Sequence, residues 1–282
     1  MARLLTVSMT QSLNGQGRLA IIAGNGRFPF LVLEAARHQG IDPMVVAIKE
    51  EASPELARTA RAIHWLSLGE VSKLFEILSA ERITSVLLAG QVKHAQLFSS
   101  IKPDGMLKRA LKRVHRRSTD ALLNAFVRMV EKRGIQVVDS TLFLKPLLPG
   151  VGTLTRRAPT PDESADVAYG REIAKKIAGL DIGQTIVVAD RACLAVEAME
   201  GTDATIERAA ALSNGRKLVV VKVSKPNQDM RFDVPVIGVK TIETMVQASA
   251  TCLAVDAGKC LFLDGQRVIE AADAAEIAIV AG

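Results

Sequence analysis

The stretch "LAIIAGNGRFPFLVLEAARHQGIDPMVVAI" (residues 19–48) decides the architecture. "LAIIAG" (19–24) is an unbroken apolar run closed by glycine, long enough for a buried strand and too short for a helix. "FPFLVLEAARHQG" (28–40) has apolar residues at helical spacing, Pro29 near its start, where the missing N–H costs nothing, and Gly40 beyond its end. "MVVAI" (44–48) is a second apolar run. Strand, glycine turn, helix and strand form a βαβ unit, whose strands lie parallel in one sheet.

The same alternation continues outward. "AIHWLSL" (62–68) and "SVLLAG" (85–90) read as strands on either side of the helix "EVSKLFEILSA" (70–80). Helical stretches at 106–117 and 119–133 then lead to Gly134 and the strand "IQVVD" (135–139). This predicts an α/β chain whose N-terminal domain, residues 1–147, is a Rossmann-like, doubly wound parallel sheet. "KPLLPGVGTLTRRAPTP" (145–161) holds four prolines and two glycines with little periodicity, so residues 148–161 are predicted as a linker.

Residues 162–282 are predicted as the catalytic domain, an α/β fold with mixed strands. A helix over 162–179 precedes "QTIVVADRACLAVEAME" (184–200), two β-rich runs around a short polar break that read as a hairpin. A helix to Leu212, the strand "KLVVVKV" (217–223), the strand "VIGV" (236–239) and a helix from Thr241 follow. "TCLAVDAGKCLFLD" (251–264) reads as a second hairpin about an Asp-Ala-Gly-Lys turn, before a last helix and the strand "IAIV" (277–280).

Composition narrows the function. Thirty-six Lys and Arg against thirty Asp and Glu give a formal charge of +6, which suits an anionic partner. One Trp and one Tyr leave few rings for base stacking, which argues against nucleic acid. Cys193, Cys252 and Cys260 are odd in number and lack C-x-x-C spacing, as expected of reduced thiols in a cytoplasmic protein. "MARLLTVSMTQSLNGQG" (1–17) has too short an apolar stretch for a signal peptide, and no run of about 18 apolar residues follows. A soluble or peripheral protein is expected.

Several segments carry candidate chemistry. In "AGNGRFP" (23–29), Gly24 and Gly26 stand where backbone N–H groups between a strand and a helix can cradle an anion, although a plain tight turn fits equally. Pro29 replaces the third glycine of a dinucleotide fingerprint, which argues against NAD. In "GQVKHAQLFSSIKPDG" (90–105), Gln91, Lys93 and His94 follow a strand and are candidates for substrate contact, with a solvated loop as the alternative. "MLKRALKRVHRRS" (106–118) puts Met106, Leu107, Ala110, Leu111 and Val114 on one helical face and six cations on the other. That is either a domain helix with a solvated basic back or a face for phosphates and anionic membrane.

In "EAMEGTDA" (197–204), Glu197, Glu200 and Asp203 surround Gly201, and Thr202 is placed to cap the next helix, directing its free N–H groups at the turn. In "KVSKPNQDMRFDVPVIG" (222–238), an extended backbone would point Asp229, Arg231 and Asp233 to one side, just after Lys222 and Lys225. Carboxylates interleaved with cations suit a divalent metal beside phosphate groups, the bland reading being a solvated loop. On residues alone, two rivals stay open: another nucleotide-sugar or dinucleotide enzyme, and a non-catalytic protein that binds anionic lipid.

The segments 183–212, 221–245 and "AVDAGKCLFLD" (254–264), with "AGNGRFP" and "AGQVKHAQLF" in the first half, resemble the UDP-2,3-diacylglucosamine pyrophosphatases of bacteria such as the alphaproteobacteria, over nearly the whole chain from Leu19. The resemblance implies a two-domain, metal-dependent hydrolase of lipid A biosynthesis that yields UMP and 2,3-diacylglucosamine 1-phosphate. It implies Mg²⁺, with Mn²⁺ as the substitute, a lipid substrate held between the domains, and work at the cytoplasmic face of the inner membrane as a peripheral protein. Self-association is left open.

On that footing Asp229 and Asp233 are expected as metal ligands or as the base that orients water, with Glu197, Glu200 and Asp203 as further ligands. Lys222, Lys225 and Arg231 are expected on the phosphates, and Gly201 with Thr202 as a backbone cradle. Leu97, Phe98, Met106, Leu147, Leu148 and Met230 are candidates for acyl-chain contact. The chain departs from the family in "RRSTDALLNAF" (116–126), where Arg117, Ser118 and Thr119 replace glycine and acidic residues.

Overall fold

The computed structural model describes residues 17–92, 102–112 and 119–282. It divides into two compact units: the described residues up to Leu144 together with Met230–Asp233, and Lys145–Asp229 together with Val234–Gly282.

Unit 1 runs β1 (Arg18–Ala23), α1 (Phe28–His38), β2 (Met44–Ile48), α2 (Leu56–Thr59), β3 (Ile63–Leu66), α3 (Val71–Ala80), β4 (Ile83–Ala89), α4 (Gly105–Leu111), α5 (Thr119–Glu131) and β5 (Gln136–Val138). The strands pair in the order β3-β2-β1-β4-β5, all parallel, which is the doubly wound order expected from the opening stretch. Every residue of β2 and all but the first of β1 are buried, which is why these strands read as unbroken apolar runs rather than alternating ones. On one face, Val46, Val86 and Val137 pack with Leu74 and Leu78 of α3 and Val127 and Val130 of α5. Met106 and Leu107 of α4 join that core while Lys108 and Arg109 face solvent, so the described part of the basic helix is a domain helix with a basic back. Its remaining arginines, Arg113, Arg116 and Arg117, lie outside the described residues, as do Lys93, His94, Leu97 and Phe98.

Unit 2 runs β6 (Gly152–Thr153), α6 (Pro161–Gly179), β7 (Thr185–Ala189), β8 (Ala192–Val196), α7 (Thr202–Leu212), β9 (Leu218–Lys222), β10 (Val236–Ile237), α8 (Val239–Gln247), β11 (Ala250–Val255), β12 (Leu261–Phe262), α9 (Gln266–Ala274) and β13 (Ala278–Ala281). Its main sheet has the order β6-β13-β11-β9-β7-β8. The central three strands are parallel, and β6, β7 and β8 are added antiparallel. Side chains alternate between two cores: Val219, Val221, Cys252 and Ala254 pack with Ala174 and Ala178 of α6, while Leu218, Val220, Leu253 and Val255 pack with the helices opposite. Helix α6 lies so close that a Cβ on Gly170 would stand 2.6 Å from Val221 Cγ2.

The first expected hairpin is present as β7–β8, turning through Asp190 and Arg191, both at positive φ (52° and 56°). Asp166 supports this turn by accepting from Asp190 N (3.2 Å) and Arg191 N (2.6 Å). The second expected hairpin does not form. β11 lies parallel between β9 and β13, and β12 pairs instead with β10 in a separate two-stranded sheet. Asp256-Ala-Gly-Lys is a turn, but long-range burial and not the turn selects the strand partners. The extended reading of 229–233 is also overturned, because Met230–Phe232 form a turn and Asp229, Arg231 and Asp233 do not alternate along a strand.

Residues 148–161, read as linker, contain β6, which pairs with β13. Their last part is anchored by Glu163 at the start of α6. Thr160 and Glu163 form a reciprocal capping box, and Arg157 clasps the same carboxylate through two bonds of 2.8 and 2.9 Å. Burial alone would raise the Glu163 pKa, but Arg157, Thr251 and the Thr160 N–H outweigh it and bring it down to about 2. A lowered carboxylate pKa stabilises the fold above the unfolded value and is lost as pH falls through the folded one. Glu163 should therefore add stability above about pH 4.5 that disappears toward about pH 2. Chemical denaturation across that window should show a shallower pH dependence for Glu163→Gln than for the parent chain. Arg157→Ala, which strands the buried carboxylate, should cost about 3 kcal/mol.

Candidate functional site

Parallel α/β sheets bind ligands at the carboxyl ends of their strands, where loops and helix N-termini converge. In unit 2 that edge carries the ends of β9 and β11, and, because β7 runs the other way, the start of β7 beside Lys222.

Lys222 ends β9 with 8% of its surface exposed, and Glu197, just past β8, is equally buried. Thr202 stands between them: Lys222 Nζ donates to its Oγ1 (2.6 Å) and the hydroxyl donates to Glu197 Oε1 (2.9 Å). Thr185 Oγ1 lies 3.2 Å from the same hydroxyl, and Gln184 N donates to Glu197 Oε2 (3.1 Å). Burial raises the Glu197 pKa, yet the Lys222 charge and the bonds from Thr185, Thr202 and Gln184 hold it below the ordinary carboxylate range. The approach is tight, since a Cβ on Gly183 would fall 1.9 Å from Glu197 O.

Thr202 is therefore not the expected helix cap. Gly201 takes that position at φ 87°, and Thr202, the first residue of α7, turns its hydroxyl into the charge network. Glu200 bonds Ala198 N (3.0 Å) and pairs with Arg208 (2.6 Å), and Asp203 accepts from Thr241 Oγ1 (3.1 Å). The three carboxylates expected to share a metal thus each have a structural partner of their own. Among the described residues no group of three or more His, Cys, Asp or Glu is placed to hold a metal ion.

A second cluster at this edge went unread in the sequence. Asp256, at the end of β11 and 5% exposed, accepts from Ser224 N (2.8 Å), Ser224 Oγ (2.5 Å), Arg171 Nη1 (2.9 Å) and Lys175 Nζ. Burial works against its charge, but Lys175 and Ser224 hold its pKa below the usual value. Two cations on one carboxylate leave a cation in excess. Arg171 and Lys175 are spaced i, i+4 on α6, so the helix turns both toward Asp256; that spacing was the available signal. Nearby in the chain, Lys225 pairs with Asp181 (2.7 Å), and its N–H donates to Gln228 Oε1 (2.6 Å).

The matching edge of unit 1 brings Gly24 and Gln91 together. Asn25 and Gln91 exchange backbone bonds of 2.7 and 3.0 Å, and Gly24 N donates to Ala89 O (2.8 Å). A Cβ on Gly24 would come 2.6 Å from Gln91 O, and one on Gly90 the same distance from Asn25 O. These glycines let two loops touch, and the N–H groups of Gly24 and Asn25 are spent there rather than offered to an anion. Gly26, at φ 93°, leads into α1. Met230–Asp233 belongs to this unit, with Phe232 against its core and Arg231 Nη1 bonded to Glu131 Oε1 (2.6 Å).

Comparison with known proteins adds what geometry cannot. The LpxI N-terminal domain matches residues 18–147 and the LpxI C-terminal domain residues 150–280. The UDP-2,3-diacylglucosamine pyrophosphatase LpxI of Caulobacter vibrioides is 34% identical over 266 residues, covering 91% of this chain and 94% of that protein. Among solved structures, the biotin carboxylase domain of a Hydrogenobacter thermophilus 2-oxoglutarate carboxylase gives a TM-score of 0.27 at 11% identity, over 69% of this chain and 40% of that one. The biotin carboxylase subunit of a pyruvate carboxylase gives 0.27 at 13%, over 66% and 39%. Overlap at that level supports no argument.

Lys222→Met should strand the buried Glu197 charge, costing about 3 kcal/mol of unfolding free energy and moving the Glu197 pKa upward. Denaturant titration and carboxyl ¹³C NMR read the two effects. Adding Glu197→Gln to Lys222→Met should recover most of the lost stability.

Proposed function

The chain belongs to the LpxI family, and from that premise we propose that it hydrolyses the diphosphate of UDP-2,3-diacylglucosamine to UMP and 2,3-diacylglucosamine 1-phosphate in lipid A biosynthesis. The observation that carries the reading is the 34% identity to a pyrophosphatase of that name over 91% of the chain. The geometry supports it, because a diphosphate needs fixed cations at a strand-end edge.

In this proposal Lys222, held by Thr202, and Lys225 face the diphosphate and offset the charge that develops as a P–O bond breaks. The first N–H groups of α7, after Gly201, offer a further anion contact. Asp229 orients the attacking water, with Arg231 and Asp233 following it in the chain. Glu197, through Thr202, keeps Lys222 aimed and does not touch substrate. Gly24 and Gln91 shape the loop contact at which unit 1 would meet its part of the substrate, and Gly26, Lys93 and His94 remain candidates there.

Mg²⁺, or Mn²⁺ in its place, is part of the proposal. Such an ion is commonly bound through one or two carboxylates plus substrate phosphates, and it would stabilise charge on the diphosphate oxygens. The candidates for those carboxylates are Asp229 and Asp233. The protein would work as a peripheral enzyme on the cytoplasmic membrane face, where its lipid substrate is presented. Among the described residues no helix is long and apolar enough to cross a membrane.

The test is UMP release from UDP-2,3-diacylglucosamine, followed chromatographically with Mg²⁺, with Mn²⁺ and with EDTA. Release that requires the metal, and that falls at least 100-fold in Asp229→Ala, is expected. No UMP with any metal would overturn the activity, and undiminished release in EDTA would overturn the metal.

A further inference from the structure

We propose that Ser140 is a positioning residue for the reaction, acting through the turn Met230–Asp233. The inference rests on the proposed hydrolysis, in which this turn directly follows Asp229, the residue that orients water. Ser140 follows β5, is 1% exposed and lies 91 positions from Arg231 in sequence. It grips the turn at two consecutive peptides: its N–H donates to Met230 O (2.9 Å) and its hydroxyl reaches Arg231 O (2.6 Å).

The same hydroxyl reaches Leu88 O, also at 2.6 Å, one residue before the end of β4. One proton is shared between two carbonyls, so the turn is tied through a single side chain to the carboxyl end of the sheet. Asp139 prepares this grip. Its Oδ1 accepts from both the N–H (2.7 Å) and the hydroxyl (2.6 Å) of Thr141, which fixes the chain on either side of Ser140. Phe232 on the core and Arg231 on Glu131 add to the hold. Glu131 has a side chain 43% exposed and adds little rigidity, whereas Ser140 is buried and backbone-directed.

A turn held this way keeps Arg231 and Asp233 in one place before substrate arrives, and loss of the hydroxyl frees it without removing a group that touches substrate. Steady-state kinetics on UDP-2,3-diacylglucosamine, with hydrogen exchange of residues 229–233, tests this in the parent chain and in Ser140→Ala, Ser140→Thr and Ser140→Cys. Expected are a fall of at least tenfold in kcat for Ser140→Ala with KM changed less than threefold, faster exchange in the turn, and recovery of at least a third of kcat in Ser140→Thr. A kcat within twofold of the parent in Ser140→Ala would overturn the proposal, as would a loss that Ser140→Thr does not recover. If Ser140→Ala does not fold, Ser140→Cys, which keeps only a weak donor, decides: kcat at least threefold lower with faster exchange at Arg231 supports the proposal, and unchanged values overturn it. An inactive parent chain would instead sink the proposed hydrolysis itself.

Discussion

A lysine and a glutamate buried at the end of a sheet are each costly alone, and in this chain one threonine hydroxyl lets them coexist. Thr202 accepts from Lys222 and donates to Glu197, so one hydroxyl links the two charges. The consequences are architectural. Lys222 ends β9, Glu197 follows β8, Thr185 opens β7 and Thr202 opens α7, so one network fixes four elements at the edge where such sheets meet ligands. Asp256 repeats the logic with Arg171, Lys175 and Ser224, fixing α6 and the exit of β9. Here two cations share one carboxylate.

Unit 1 solves a different problem at its own carboxyl edge. The loops after β1 and β4 lie backbone against backbone, which glycine at 24 and 90 permits and any Cβ would prevent. That contact uses the N–H groups of Gly24 and Asn25. At Gly24 and Gly90 the missing side chain serves close approach of backbone.

The layers of the fold were legible because burial writes them directly. β1, β2 and β9 are covered on both faces, and each reads as an apolar run. The β7–β8 hairpin was legible because its turn is local. The partners of β11 and β12 were not, since parallel pairing joins segments separated by helices and leaves no turn signal. The same limit hid Asp256, which beside Ala-Gly-Lys looks like a turn residue until α6 brings two cations to it. It also hid the membership of Met230–Asp233 in unit 1. Lys222, Glu197 and Thr202 drew notice in the sequence for separate reasons, a phosphate contact, a metal ligand and a helix cap, and the structure joins all three in one bridged ion pair. Carboxylate density alone does not distinguish ligands from counter-ions.

We propose that this cation-bearing edge belongs to an enzyme that splits a diphosphate into two phosphomonoesters. Phosphorus-31 NMR of the purified chain with UDP-2,3-diacylglucosamine and Mg²⁺ tests it most directly. The account predicts that the coupled pair of diphosphate resonances gives way to two phosphomonoester signals of equal intensity, UMP and the lipid 1-phosphate. A persistent diphosphate pair, or the appearance of UDP or inorganic phosphate in place of the two monoesters, would contradict it.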